Sequence, residues 1–145
     1  MKKLLVALSL FTSFAVHAQT TELERVQAKA KAEQKHILLL FGGSDWCIPC
    51  IKMEKEVIEK EAFQQYAKEH LLIIKADFPR LKKNQLPKEL RQQNEALAAI
   101  YNKKGAFPYT LLLNAEGKVL KEWEGVVAPS PESFVEQLDS VPDAR

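Results

Sequence analysis

The chain has 145 residues, 46% of them hydrophobic and 28% charged, with a formal net charge of +2. That is enough apolar material for one domain with its own core. Two cysteines are too few for a scaffold in which disulfides replace a core, and the near-balanced charge argues against a nucleic-acid partner, which favours a basic face.

The first residues read as a leader. Met1-Lys2-Lys3 is a short basic start, Leu4 to Val16 is mostly apolar, and Val16-His17-Ala18 places small or modest side chains before a cleavage point after Ala18. This is the pattern of a secretory signal peptide over residues 1–18. The alternative, a retained anchor, meets an apolar run shorter than the roughly 20 residues that span a bilayer. No stable membrane insertion is expected after cleavage. Loss of the leader removes Lys2 and Lys3 and no acid, so the remaining basic residues equal the 19 acidic ones. Export, to a periplasm or its equivalent, places the cysteines where disulfides form and persist.

Residues 19–34 form an N-terminal helical segment: Glu22 to Gln34 is rich in Ala, Lys, Glu and Gln, all good helix formers. His36 to Phe41 is a continuous apolar run closed by Gly42-Gly43, which reads as a buried central strand. Cys47 to about Lys60 then reads as a helix, with Ile51, Val57 and Ile58 inward and Ser44 or Asp45 as its cap. Ala62 to His70 continues helically. Leu71 to Ala76 is a second strand. Pro79 and Pro87 make Asp77 to Lys88 an irregular connection, and its cluster Arg80, Lys82, Lys83, Lys88 and Arg91 reads as a solvated loop rather than a binding patch. Glu89 to Tyr101 is helical, with Leu90, Leu97 and Ile100 on one face. Tyr109 to Leu113 and Lys118 to Trp123 are strands joined by the turn Asn114-Ala115-Glu116-Gly117. Ser130-Pro131 opens a last helix that buries Phe134, Leu138 and Val141. No repeat or second domain is visible.

Both cysteines lie in Trp46-Cys47-Ile48-Pro49-Cys50. Zinc needs about four ligands, and outside the leader the chain offers only these two cysteines with His36 and His70, at no motif spacing. An attached haem would want His where Ile51 stands. As a purely structural staple, so short a loop removes little unfolded-state entropy. A redox pair has a positive argument: a cysteine where a strand ends and a helix begins meets unpaired amides and the helix dipole, which favour the thiolate that attacks disulfides. Cys50, one turn further on, is placed to resolve the mixed disulfide. Pro49 suits the first helical turn, where its missing N–H costs least.

The WCIPC segment after a buried strand, with Phe107-Pro108 and a hairpin far downstream, resembles the thioredoxin superfamily across roughly Lys35 to Val141. GSDWC-x-x-C-IKM, FQQYAKEH and KADFPR together resemble a branch of periplasmic thioredoxin-like disulfide oxidoreductases. The resemblance implies an α/β thioredoxin-like fold over residues 35–145, a central mixed sheet of about four strands flanked by helices, and a cis-proline loop. It makes Cys47 the nucleophile and Cys50 the resolving cysteine of a redox-active disulfide, with no other cofactor and no metal. Pro108 matches the cis-proline, Gly125 a glycine that lets the substrate chain approach, and Trp46, Ile48, Pro49 and Phe107 surround the substrate. The partners it implies are protein thiols and disulfides, with a membrane thiol reductant as electron donor.

Two departures stand out. Thioredoxins bury an Asp before the motif as proton acceptor for the resolving cysteine; here the stretch is Phe41-Gly42-Gly43. Asp45 and Glu54 are the candidate replacements, each with a plainer reading as a cap or a solvated charge. Tyr109 stands where thioredoxins usually carry Thr, so that with Phe107 it either lines an aromatic groove or packs the core. Ile48-Pro49 gives the pair no charge or donor side chain, which points to a potential nearer thioredoxin's (about −270 mV) than DsbA's (about −120 mV) and to a reductase or reductive isomerase. The rival classes are a Cu(I)-binding or metal-delivery module, which soft thiolates allow, and a redox-inert assembly domain.

Overall fold

The computed structural model describes residues 21–142. The expected leader lies outside the described residues. Helix α1 (Glu22–Glu33) starts at Thr21, whose hydroxyl accepts from the Glu24 amide while the Glu24 carboxylate returns the bond to the Thr21 amide. This reciprocal cap satisfies two amides that a bare helix start leaves unpaired. Strand β1 (His36–Gly42) runs parallel to β2 (Leu71–Asp77) and antiparallel to β3 (Tyr109–Leu113), which pairs antiparallel with β4 (Val119–Glu124). The sheet order is β2-β1-β3-β4. Strand β1 is therefore interior, flanked on both edges and covered on both faces, which is why its sequence is an unbroken apolar run.

Alternation along the strands divides the core. Leu38, Leu40 and Leu112 point to one face, packed by Met53, Val57, Phe63 and the last helix α5 (Pro131–Asp139). Ile37, Leu39, Phe41 and Leu111 point to the other, under α1 and α4 (Lys88–Tyr101). Helix α5 begins as expected, with Ser130 capping the Ser133 amide and Pro131 in the first turn. Phe134, Leu138 and Val141 are buried. The hairpin turn closes on Asn114, whose side chain accepts from the Glu116 and Lys118 amides.

Three local expectations are corrected. The helix expected over Cys47 to Lys60 is α2 (Ile48–Met53) followed by a π-helical turn, Glu54–Ile58, and then α3 (Glu61–His70). The wider turn brings both Val57 and Ile58 into the core, Ile51 is only half-buried, and Met53 takes the buried place one turn before Val57. On α4, Leu97 is buried but Leu90 is 39% and Ile100 58% exposed. The face turned to the sheet is Asn94 with Leu97, because the Asn94 amide donates to the Asp77 carbonyl at 2.9 Å and fixes the helix rotation there. Neither Ser44 nor Asp45 caps α2. Cys47 is the N-cap residue and makes no side-chain cap bond; the two polar side chains are spent on the end of β2 and the segment after it.

Candidate active site

The chain turns sharply between β1 and α2, with the Cys47 amide donating to the Gly43 carbonyl at 2.9 Å. Trp46 lies directly against this turn. A Cβ added to Gly43 would sit 2.3 Å from the indole Nε1, so only glycine allows the ring its place. Cys47 and Cys50 are joined as a disulfide with their Cα atoms 5.2 Å apart. Both are largely covered, at 4% and 8% exposure, while Ile48 beside them is 71% exposed and Pro49 is exposed.

The end of β2 and the segment after it are tied to the motif at three points. The Ser44 amide and hydroxyl donate to the two Asp77 carboxylate oxygens at 2.7 and 2.6 Å. The Asp45 carboxylate accepts from the Arg80 and Leu81 amides, both at 2.9 Å, and from the Asn84 side chain at 3.0 Å. These bonds, the Arg80 amide foremost, hold the Asp45 carboxyl below the usual carboxylate value. The Trp46 indole N–H donates to the Phe78 carbonyl at 2.8 Å. Phe107 meets both rings edge-on, with centroids 5.6 Å from Trp46 and 5.5 Å from Phe78. The Arg80 guanidinium lies 3.6 Å above the Trp46 ring. Motif, post-β2 segment and Phe107-Pro108 loop thus share one aromatic knot.

The Phe107–Pro108 bond is cis. Gly125, at φ +89°, donates its amide to the Pro108 carbonyl at 2.9 Å, and no atom lies within 4 Å of where a Cβ would stand. Tyr109 does not join this wall. It is buried in the core cluster of Phe41 and Leu111, its ring stacks on Phe41 at 6.3 Å, and its hydroxyl donates to Glu122 of the neighbouring β4 at 2.6 Å. Of the two rings weighed from the sequence, Phe107 faces the motif and Tyr109 packs the core.

On the inner side, a cavity of about 380 Å³ runs past Cys50, Gly42, Met53, Glu54, Lys75 and Asp77. Glu54 opens the π-helical turn and is ion-paired with Lys75 of β2. Three carboxylates line this cavity: Asp77, which already accepts twice from Ser44, Glu54, which is paired with Lys75, and Glu59, which is exposed at the far end of the π-helical turn. Glu54, one turn after Cys50, is the one nearest to it in the chain with accepting capacity left. Among the described residues, no group of three or more His, Cys, Asp and Glu is placed to hold a metal ion. Sequence reasoning missed Asp77, Phe78 and Arg80 as site neighbours. The one available signal was the word KADFPR, which the resemblance had already singled out.

A family model described as a thioredoxin-like domain matches residues 23–142. The chain belongs to the thioredoxin-like family. A protein named disulfide bond reductase DsbH, from Chlamydia pneumoniae, is 43% identical over 91 residues, covering 63% of this chain and 53% of that protein. From the same organism, the thioredoxin-related protein DsbJ is 33% identical over 88 residues, covering 61% of this chain and 24% of that one. The matched region thus spans about half, or less, of these curated relatives. A solved structure named DsbH oxidoreductase superposes with a TM-score of 0.75 at 31% identity, covering 97% of this chain and 96% of that one. Within the family the chain is of the DsbH type.

Proposed function

We propose that this thioredoxin-like chain is an exported protein-disulfide reductase, acting outside the cytoplasm after loss of residues 1–18. The observation that carries the reading is the Cys47–Cys50 disulfide at the N-cap of α2, with Trp46 packed on the Phe107–Pro108 loop. In the reduced protein the Cys47 thiolate attacks one sulfur of a substrate disulfide, and the other sulfur leaves as a thiolate. Cys50, deprotonated, then attacks Cys47 and releases the second substrate thiol. The substrate gains two electrons and two protons, and the chain is left with its own disulfide. A membrane thiol reductant returns it to the dithiol.

An N-cap side chain ordinarily accepts from the amides of the first turn. A Cys47 thiolate stands in that position; Pro49 has no N–H to offer, so the Cys50 amide is the first-turn donor that stabilises it. Glu54 takes the Cys50 proton through the shared cavity, a role for which Asp45 is already committed elsewhere. Ile48, Pro49, Trp46, Phe107 and Pro108 border the approaching substrate, which pairs as an added strand along the Phe107 backbone. Gly125 contributes open space, because its own amide is already spent on Pro108.

Replacing Cys50 by Ser is expected to freeze mixed disulfides on Cys47, which can be isolated and identified. Equilibration of Cys47/Cys50 with glutathione buffers measures the direction. A potential above about −150 mV, near the value of DsbA, refutes reduction as the net activity.

A further inference from the structure

Arg80 was read from the sequence as part of a solvated loop. It is instead held at both ends beside the active cysteine. Its backbone amide is fixed by Asp45 at 2.9 Å, and its guanidinium carbon lies 3.6 Å over the centroid of the Trp46 ring, a contact distance at which a planar guanidinium fits only face-on. Stacking uses the face of the guanidinium. The N–H donors lie in its plane and point outward at the edge. The Asp45 oxygens are given to the Arg80 and Leu81 amides and to Asn84. Asp77 is given to Ser44. Among the described residues, no carboxylate lies within ion-pair distance of Arg80, Lys82 or Lys83. A stacked guanidinium with unspent donors, next to the residue before Cys47, is arranged to take a carboxylate in its own plane.

We propose that Arg80 is a recognition subsite for an acidic side chain of the protein substrate, close in sequence to the cysteine that Cys47 attacks. The inference rests on the reductase reading and names the substrate chemistry that site selects. Stacking lowers the entropy lost on binding, because the long side chain is already ordered. Lys82 and Lys83 add positive charge on the same segment, an attraction that falls with salt over a Debye length of about 10 Å at 0.1 M.

The test uses two disulfide peptides that differ only in Glu or Gln beside one cysteine. At low salt the protein should reduce the Glu peptide about three- to fivefold better in kcat/KM, the range of a partly exposed ion pair. The ratio should fall toward one in Arg80→Gln, retain part of its value in Arg80→Lys, and fall with added salt in the wild type. Equal reduction of the two peptides by the wild type, or a preference that survives Arg80→Gln, overturns the subsite and leaves the reductase reading standing. Binding is followed separately by the Trp46 indole N–H resonance in a Cys47→Ser/Cys50→Ser variant. Glu-selective, Arg80-dependent binding without reduction of either peptide by the reduced wild type supports the subsite and refutes the reductase reading.

Discussion

Substituting Gly43 by Ala tests how the active-site turn is held. The new Cβ would lie 2.3 Å from the Trp46 Nε1 and Cε2 atoms and 2.8 Å from Cζ2. Real contacts of that length do not occur, so the indole must move. Moving it breaks the bond to the Phe78 carbonyl, worth about 1 kcal/mol net, and the edge contact with Phe107, worth about 0.5–1.5 kcal/mol. The Arg80 stacking adds about 0.5–1 kcal/mol. Alanine restricts the unfolded chain and returns about 0.4–1 kcal/mol where the native backbone accepts it. Gly43 lacks the positive φ found at Gly105, Gly117 and Gly125, so that return is available. The net expected loss is about 2 kcal/mol, read from the urea midpoint, with the indole N–H resonance displaced. The decisive arm is a double-mutant cycle. In a Trp46→Ala background the clash is gone, and Gly43→Ala should turn stabilising by up to about 1 kcal/mol. A loss that persists without Trp46 refutes the reasoning, as does a Gly43→Ala protein as stable as the wild type.

Three further outcomes follow from the same geometry. Glu54→Gln should slow release of substrate from the Cys47 mixed disulfide by about tenfold, with partial recovery on adding a small buffer base, the signature of a missing proton acceptor; an unchanged single-turnover rate removes Glu54 from the mechanism. The Tyr109 hydroxyl is pushed up to about 12 from 10.0, first by its bond to Glu122 and then by burial and nearby acidic charge. Its folded form thus holds the proton more tightly, so its contribution is present below pH 10 and lost as pH rises toward 12. Tyr66, also pushed up to about 12 by burial and by Asp139, shares the window. Tyr109→Phe should therefore flatten, without abolishing, the fall in urea midpoint between pH 10 and 12; an identical slope contradicts the assignment. Phe134, fully buried with centroids 5.4 Å from Phe63 and 5.3 Å from Trp123, should cost about 3–5 kcal/mol on truncation to Ala, measured by the same denaturation. A cost under about 1 kcal/mol would mean that the cavity collapses freely there.

Elements whose signals are local were legible in the sequence. The unbroken apolar run of β1 announced an interior strand, Asn114 to Gly117 announced the hairpin, and Ser130-Pro131 announced the start of α5. The cysteine pair could be placed at a strand–helix junction for the same reason. The misreadings share one cause. Ser44 and Asp45 look like caps because the residues beside them start a helix, but their partners Asp77, Arg80, Leu81 and Asn84 come from the end of β2 and the segment after it. Such bonds join positions more than 30 residues apart, and no window along the chain contains both ends. Leu90 and Ile100 were assigned inward by periodicity alone, whereas the rotation of α4 is set by the polar bond from Asn94 to the end of β2. Arg80 passed as a loop charge because stacking on Trp46 is a property of the folded turn.

The vacated cap bears on the direction of electron flow. With Ser44 and Asp45 engaged elsewhere, neither competes with a Cys47 thiolate for the Cys50 amide, the first-turn cap donor that Pro49 leaves, and this favours the reduced form. The neutral Ile48-Pro49 pair pulls the other way, and magnitudes decide between them. A charge-assisted hydrogen bond contributes about 1.5–3 kcal/mol, and about 1.4 kcal/mol shifts a two-electron couple by about 30 mV. The cap therefore raises the potential by roughly 30 to 65 mV. The gap between thioredoxin and DsbA is about 150 mV. On the reductase reading proposed above, a couple that starts near thioredoxin's value would stay on the reducing side of that gap, so a free cap raises the thiolate fraction of Cys47 without by itself making a reductant into an oxidant.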